Sequence, residues 1–387
     1  MVGRTHIASM TAVFTAFMIF QIYAFLIYDP ILLAGGAGLM ALVVVHGHHH
    51  ILRRELTASR LVLITIIAAL TLALPFALNQ TLVSSYHYTI GVTSILAAYI
   101  FSRFPLETYR SLRLALVALQ SYTIWFLLTT THTVFPLDYM IEGSSSNGIT
   151  SVLVILQAAY VGISFHVRRK AAIITSLATL YIALEGFGRG SILSAAMICF
   201  LMLPLYFLSI RTAAGRLAVI LVALIVLAFF VPRTIDVVSN YLVNSTKLSQ
   251  GLLDPARAEM YRDYLAKIDP VTFFTGTDFE GTSIEAKYNG NPHSSLIRAH
   301  HLFGILYLLA VLGSLAGAVL ATRTWVSLFI TGALISIILF RSVSEPVIFP
   351  TAMDFFVFVF LFIACGSPRS RASRAVREAP RAGIAVS

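Results

Sequence analysis

Charge is scarce in this sequence. Asp, Glu, Lys and Arg make up 11% of its 387 residues, against about 25% in an ordinary soluble domain. So few charges cannot cover the surface of a soluble protein of this length. Cysteine is scarcer still: Cys199 and Cys365 are the only two and both sit in apolar runs. That excludes a disulfide framework and argues against a Cys-based metal centre. Three further patterns are missing. There are no ten-residue alternating stretches of the kind that build membrane barrels, and no repeated halves of the kind an inverted-repeat transporter carries. A small-residue cleavage site does not follow the first apolar run, so residues 7–28 read as a span rather than a signal peptide. What abounds is apolar: 58% of residues are hydrophobic and the mean hydropathy is +0.86, which excludes intrinsic disorder.

The apolar residues come in uninterrupted runs of bilayer length, and backbone in lipid must satisfy its own hydrogen bonds, so the runs predict helices. The expected fold is all-α, a polytopic transmembrane helical bundle of about twelve spans: 7–28, 30–46, 61–78, 86–101, 112–131, 149–165, 171–186, 190–208, 217–231, 302–320, 325–340 and 347–365. Residues 1–231 hold spans one to nine, 232–301 one long outer loop, 302–366 spans ten to twelve, and 367–387 a basic cytoplasmic tail.

Charge orients the bundle. With the N-terminus inside, eighteen of the 27 Lys and Arg fall on inner segments, and seven of the other nine lie in the long outer loop. This is the asymmetry that places Lys and Arg on the cytoplasmic side. The net charge of +10 is therefore explained by topology, without nucleic acid. Two short outer turns break the trend with one arginine each. Arg189 stands between glycines in Gly186-Phe187-Gly188-Arg189-Gly190, and Arg341 has Glu345 as its expected local partner.

In the outer loop, residues 233–250 read as an interfacial helix and polar stretch. Asp254-Pro255 starts a helix over 256–268, with Arg257, Tyr261 and Tyr264 on one face. Asp269-Pro270 ends it, and residues 272–278 read as an extended piece and turn. The segment Asn291-Pro292-His293-Ser294-Ser295-Leu296-Ile297-Arg298-Ala299-His300-His301 then places three histidines and an arginine at the mouth of span ten. Their spacing lacks the i, i+4 pairing of helical metal ligands, and no metal is expected. The inner run His46-Gly47-His48-His49-His50 reads as a solvated interfacial loop. Glu185 and Asp354 are intramembrane acids, with Arg189 four residues on as the expected partner of Glu185.

Taken in order, these stretches resemble the O-antigen polymerase and O-antigen ligase superfamily. Glu185-Gly186-Phe187-Gly188-Arg189-Gly190-Ser191 is similar to its Ser-Arg-Gly turn, with glycine in place of serine. Arg257-Ala258-Glu259-Met260-Tyr261, with Phe274-Thr275-Gly276-Thr277 beyond it, is similar to the outer-loop pattern. Pro292-His293-Ser294-Ser295-Leu296 with Phe303-Gly304-Ile305 is similar to the His-Asn-x-x-Leu…Gly-Ile segment, with Ser294 in place of asparagine. The likeness covers roughly residues 185–310.

The resemblance implies a membrane glycosyltransferase of the GT-C-like type in the bacterial inner (cytoplasmic) membrane, with both termini cytoplasmic and the active site periplasmic. It would move a glycan from an undecaprenyl-pyrophosphate carrier to a sugar hydroxyl in O-antigen, lipopolysaccharide or exopolysaccharide assembly, without cofactor or metal. Its partners would be the undecaprenyl-pyrophosphate-linked glycan, the lipid bilayer and a chain-length regulator. Arginine suits a diphosphate leaving group through forked, permanently charged contacts, so Arg189 and Arg257, with Arg262 and Arg298, are expected at the pyrophosphate. His293 is expected as the general base on the acceptor hydroxyl. Tyr261, Tyr264, His300 and His301 are expected as acceptor or sugar contacts. A polymerase is favoured over a ligase acting on lipid A core. A flippase or other transporter is the alternative from another class, with a membrane acyltransferase behind it.

Overall fold

The computed structural model describes residues 2–52, 57–78, 82–131, 135–210, 212, 255–322 and 324–366. Among them the chain is helical and contains no strand. Five helices come first: α1 Val2–Ile27, α2 Pro30–Leu52, α3 Ala58–Leu78, α4 Leu82–Phe101 and α5 Pro105–Thr129. After a 3-10 turn at Pro136–Tyr139 come α6 Ser146–Arg168, α7 Ile173–Glu185 and α8 Arg189–Ser209. Three short helices, α9 Pro255–Ala266, α10 Pro270–Thr275 and α11 Ser283–Tyr288, precede α12 Ser295–Leu320, α13 Trp325–Ser344 and α14 Asp354–Cys365. Seven of the described helices are long and apolar enough to cross a membrane: the molecule is a helical membrane protein. The expected span 217–231, the helix and polar stretch 233–250 and the tail 367–387 lie outside the described residues.

Two helices form the centre. α6 is buried along nearly its whole length and α14 on every face up to Ala364. They meet where Gly162 leaves room for the Phe360 ring, whose atoms a Cβ would overlap. Around them α1 packs on α5, α2 on α4, α3 on α12, and α8 on α7 and α13. A buried amide network ties α5, α6 and α7. Gln120 Nε2 donates to Thr175 O and Thr179 Oγ1, both at 2.8 Å, and Gln157 Nε2 donates to Ser176 Oγ at 2.9 Å. Such polar contacts join helices in hydrocarbon, where apolar contact alone gives little preference.

Three expectations are corrected. The His46–His50 run is the last turns of α2, which continues to Leu52 rather than opening into a loop. Gly47 permits this, because α2 lies so close to α4 that a Cβ there would stand 2.7 Å from Ile100. Residues 270–275 are helical rather than extended. Asp269 caps them, accepting from Val271 and Thr272 N, while its own N–H donates to Thr272 Oγ1. Finally, residues 347–353 are irregular and the last helix starts only at Asp354. Buried irregular backbone needs partners, and side chains supply them here. Asp354 accepts from Phe349 N at 2.7 Å and Thr351 N at 3.1 Å, Ser295 Oγ accepts from Ile348 N at 3.2 Å, and His87 Nδ1 donates to Pro350 O at 3.1 Å.

Candidate functional site

Three of the expected site residues, Arg257, Tyr261 and Arg298, meet one stretch of chain, Arg341–Ile348. Arg257, on α9, reaches Glu345 with Nη2 3.3 Å from Oε1, the glutamate side chain being only 10% exposed. Tyr261, one turn further along α9, donates its hydroxyl to Val343 O at 2.9 Å and shares a 2.7 Å hydrogen bond with Ser294 Oγ. Ser295 Oγ donates to Glu345 O at 2.7 Å. Arg298 donates through Nη2 to Pro346 O and Ile348 O. Arg341 does not form the expected local pair. Its guanidinium donates to Ser151 Oγ and to Ser344 Oγ and lies against Gly190, where a Cβ would overlap Nη1. Arg189, the first residue of α8, thus flanks Arg341 through its neighbour Gly190.

A cavity of about 540 Å³ opens beside this stretch. His293, Arg298 and His301 line it, together with Glu345, Pro346 and His87. Its volume is that of a small-molecule site, and its titratable groups are an arginine, three histidines, the Tyr28 phenol and one carboxylate already held by Arg257. Arg298 brings a permanent positive charge to this lining.

His293 is brought to the cavity by the turn before α12. Its backbone takes the left-handed conformation, φ 44°, and its N–H donates to Asn291 Oδ1 at 3.0 Å. The ring stands edge-on to Tyr288 at 5.4 Å. Ser294, rather than His293, caps α12 by accepting from Ile297 N at 3.4 Å, so the imidazole is not used as a cap. His301 has its Nδ1 2.6 Å from Thr277 O and its ring stacked on Phe279 at 4.1 Å. A carbonyl only accepts, so Nδ1 carries the proton and the neutral ring keeps its lone pair on Nε2. The Nε of Arg298 has no hydrogen-bond partner among the described residues.

Other expected residues sit elsewhere. Arg262 is 76% exposed and pairs with its neighbour Asp263 at 3.7 Å. Tyr264 and His300 are buried in packing. Since His300 Nε2 donates to Phe273 O at 3.0 Å, its Nδ1 accepts from the Tyr264 hydroxyl at 2.7 Å, and both ring nitrogens are occupied. Burial raises the pKa of the Tyr261 and Tyr264 hydroxyls above the ordinary tyrosine value, so both remain donors. Among the described residues no group of three His, Cys, Asp or Glu side chains is placed to hold a metal ion.

The sequence reading overlooked His87. Its signal was a polar side chain flanked by Tyr86 and Tyr88 at the head of an apolar run. It also gave Glu345 to the wrong arginine.

The glycines of the motifs acquire physical reasons. Gly304 breaks α12 with φ 67° and ψ −171°, and a Cβ there would overlap Phe274 O. Gly276 lies as closely against the carbonyls of His300 and His301. The two glycines seat the end of α10 directly on the α12 backbone, which holds Thr277 O in place for His301. Comparison with protein families, characterised proteins and solved structures finds no match to this chain.

Proposed function

We propose that this protein is a polymerase-type glycosyltransferase that takes a glycan from undecaprenyl pyrophosphate and places it on a sugar hydroxyl of a lipid-linked repeat unit. The observation that carries the reading is the shared cavity of His293, Arg298 and His301, with Glu345, the partner of Arg257, on its wall. In this reading the chain crosses the cytoplasmic membrane about twelve times with both termini inside, and the cavity faces the periplasm.

The acceptor hydroxyl oxygen attacks the anomeric carbon as the carbon–oxygen bond to pyrophosphate breaks, with inversion. His293 takes the hydroxyl proton, and the bonding pair leaves on the diphosphate. The leaving group gains negative charge in the transition state, where cationic donors in a dry site contribute most. Arg298, whose Nε is uncommitted among the described residues, is the arginine that lines the cavity. Arg257 acts on the cavity through Glu345, and Arg189 is assigned to the diphosphate by the motif resemblance alone. His301 contributes an acceptor nitrogen to the same space.

The test is an incubation of the purified full-length protein with lipid-linked repeat units, followed by sizing of the products. A ladder of longer glycans on lipid, lost in His293→Ala, supports the reading. Polymer passed only to lipid A core makes the protein a ligase. Movement of lipid-linked substrate across the bilayer with no new glycosidic bond makes it a flippase.

A further inference from the structure

A second cavity lies at the other end of the bundle. α1 and α2 meet at the short turn before Pro30, where Asp29 caps α2 by accepting from Ile31 and Leu32 N. From there they part, α1 onto α5 and α2 onto α4. Between them opens a space of about 780 Å³. Its walls are apolar: Phe14, Phe17 and Phe20 of α1, Leu39 and Val43 of α2, and Phe104.

One face of the last turns of α2 supplies the polar groups. His46, His49 and His50 recur at spacings of three and four, so they share a helical face, and all three line the space. The His49 and His50 rings lie 3.9 Å apart, and His50 stands edge-on to Phe104 at 5.3 Å. His48 points off this face and makes its own 2.7 Å contact with Val45 O.

The charge around this space is mostly positive. The start of α5 lies beside α1, with Ser111 Oγ donating to Thr11 O at 3.0 Å, and brings Arg110 and Arg113 to this end. Arg103 follows α4, next to the lining residue Phe104. The carboxylate of Glu107 opposes them on α5. A hydrocarbon-lined space between membrane helices, with imidazoles at its mouth and a cationic rim, matches a chain with an anionic head. A free polar metabolite would find nothing to bond in the apolar walls.

We infer that the space between α1 and α2 holds one acyl chain of an anionic glycerophospholipid, whose phosphate sits at His46, His49 and His50. This site is separate from the His293 cavity and does not depend on glycosyl transfer.

The experiment is native mass spectrometry of the full-length protein in detergent, supplied with phosphatidylglycerol or phosphatidylcholine of identical acyl chains. We expect one phosphatidylglycerol retained at least tenfold better than phosphatidylcholine. The combined change His46→Gln, His49→Gln and His50→Gln is expected to remove that preference, and Val43→Phe, which fills the space, to reduce retention of both lipids. Circular dichroism checks that each variant stays helical, and His49→Gln alone, at an exposed position, serves if the triple variant unfolds. Equal retention of the two lipids, or a preference surviving in the histidine variant, overturns the inference. So does tighter retention of undecaprenyl phosphate than of phosphatidylglycerol, which would make the occupant an isoprenoid.

Discussion

Arg257 and Glu345 are 88 residues apart in sequence and 3.3 Å apart in space. This pair fastens the short helix α9 to the stretch that follows α13, and so sets one wall of the His293 cavity. Arg257 remains 32% exposed while Glu345 is nearly buried. The pair therefore stands between an exposed bridge, worth little, and a buried one, whose broken half is costly.

Removing Arg257 strands a shielded carboxylate. Arg257→Ala is expected to destabilise the protein by about 1–2 kcal/mol, after discounting for solvent at the arginine. Glu345→Gln, which leaves no stranded charge, is expected to cost less. Thermal unfolding in detergent of both single variants and the double variant measures the coupling. Additive effects would mean that the contact contributes nothing.

His293, in the turn before α12, and His300, within it, have opposite roles. His293→Ala is expected to abolish glycan transfer with little change in thermal stability, because its ring lines a cavity and caps nothing. His300→Ala strands the Tyr264 hydroxyl and Phe273 O in packing, at about 1–3 kcal/mol. Product sizing beside a melting curve separates the two. A stable, fully active His293→Ala variant removes the residue from the mechanism.

Acid acts first on the segment carrying α9, α10 and α11. Asp278 is held below the ordinary carboxylate range by its hydrogen bond from Lys267, Asp269 by the backbone N–H of Thr272 and Asp263 by the Ser283 hydroxyl. A depressed carboxylate contributes stability that is complete above its unfolded pKa and lost as pH falls through the folded one. Amide protection factors over residues 255–290, in which the intrinsic pH dependence of exchange is divided out, are therefore expected to be flat from pH 7 to about 5, then to fall below about 4, the unfolded Asp value. Protection that drops already between pH 7 and 5 would contradict this assignment.

How legible this architecture was depends on the range of each interaction. Apolar runs report local solvent preference, so helices such as α6 and α13 followed from the sequence to within a few residues. Helix α5, by contrast, starts seven residues before its expected span, in the polar stretch that holds Glu107 and Arg110. The Asp269-Pro270 pair was legible as a stop but not as the N-cap of a new helix, because both readings use the same residues. Glu345 was assigned to Arg341 by proximity along the chain, and only the fold brings Arg257 nearer. The irregular stretch before Asp354 hid inside an apolar run, since its partners Ser295, Arg298 and His87 come from two other helices. Of the expected site, His293, Arg298 and His301 share the cavity, while Arg262, Tyr264 and His300 have surface or packing roles instead.

Gly304 offers the sharpest contrast between neighbouring substitutions. Its backbone occupies a region open essentially to glycine alone, and its missing side chain makes room for Phe274 O. Gly304→Ala must therefore strain the backbone and push α10 away from α12, at about 3 kcal/mol or more. Gly313 lies further along the same helix with open space where a Cβ would go. There the added methyl only improves helix propensity, so Gly313→Ala is expected to be neutral or to stabilise by up to about 1 kcal/mol. Melting temperatures of the two variants in one detergent test the pair. If α10 is what holds Thr277 O against His301, Gly304→Ala also lowers glycan transfer in protein kept well below its melting temperature, and Gly313→Ala does not.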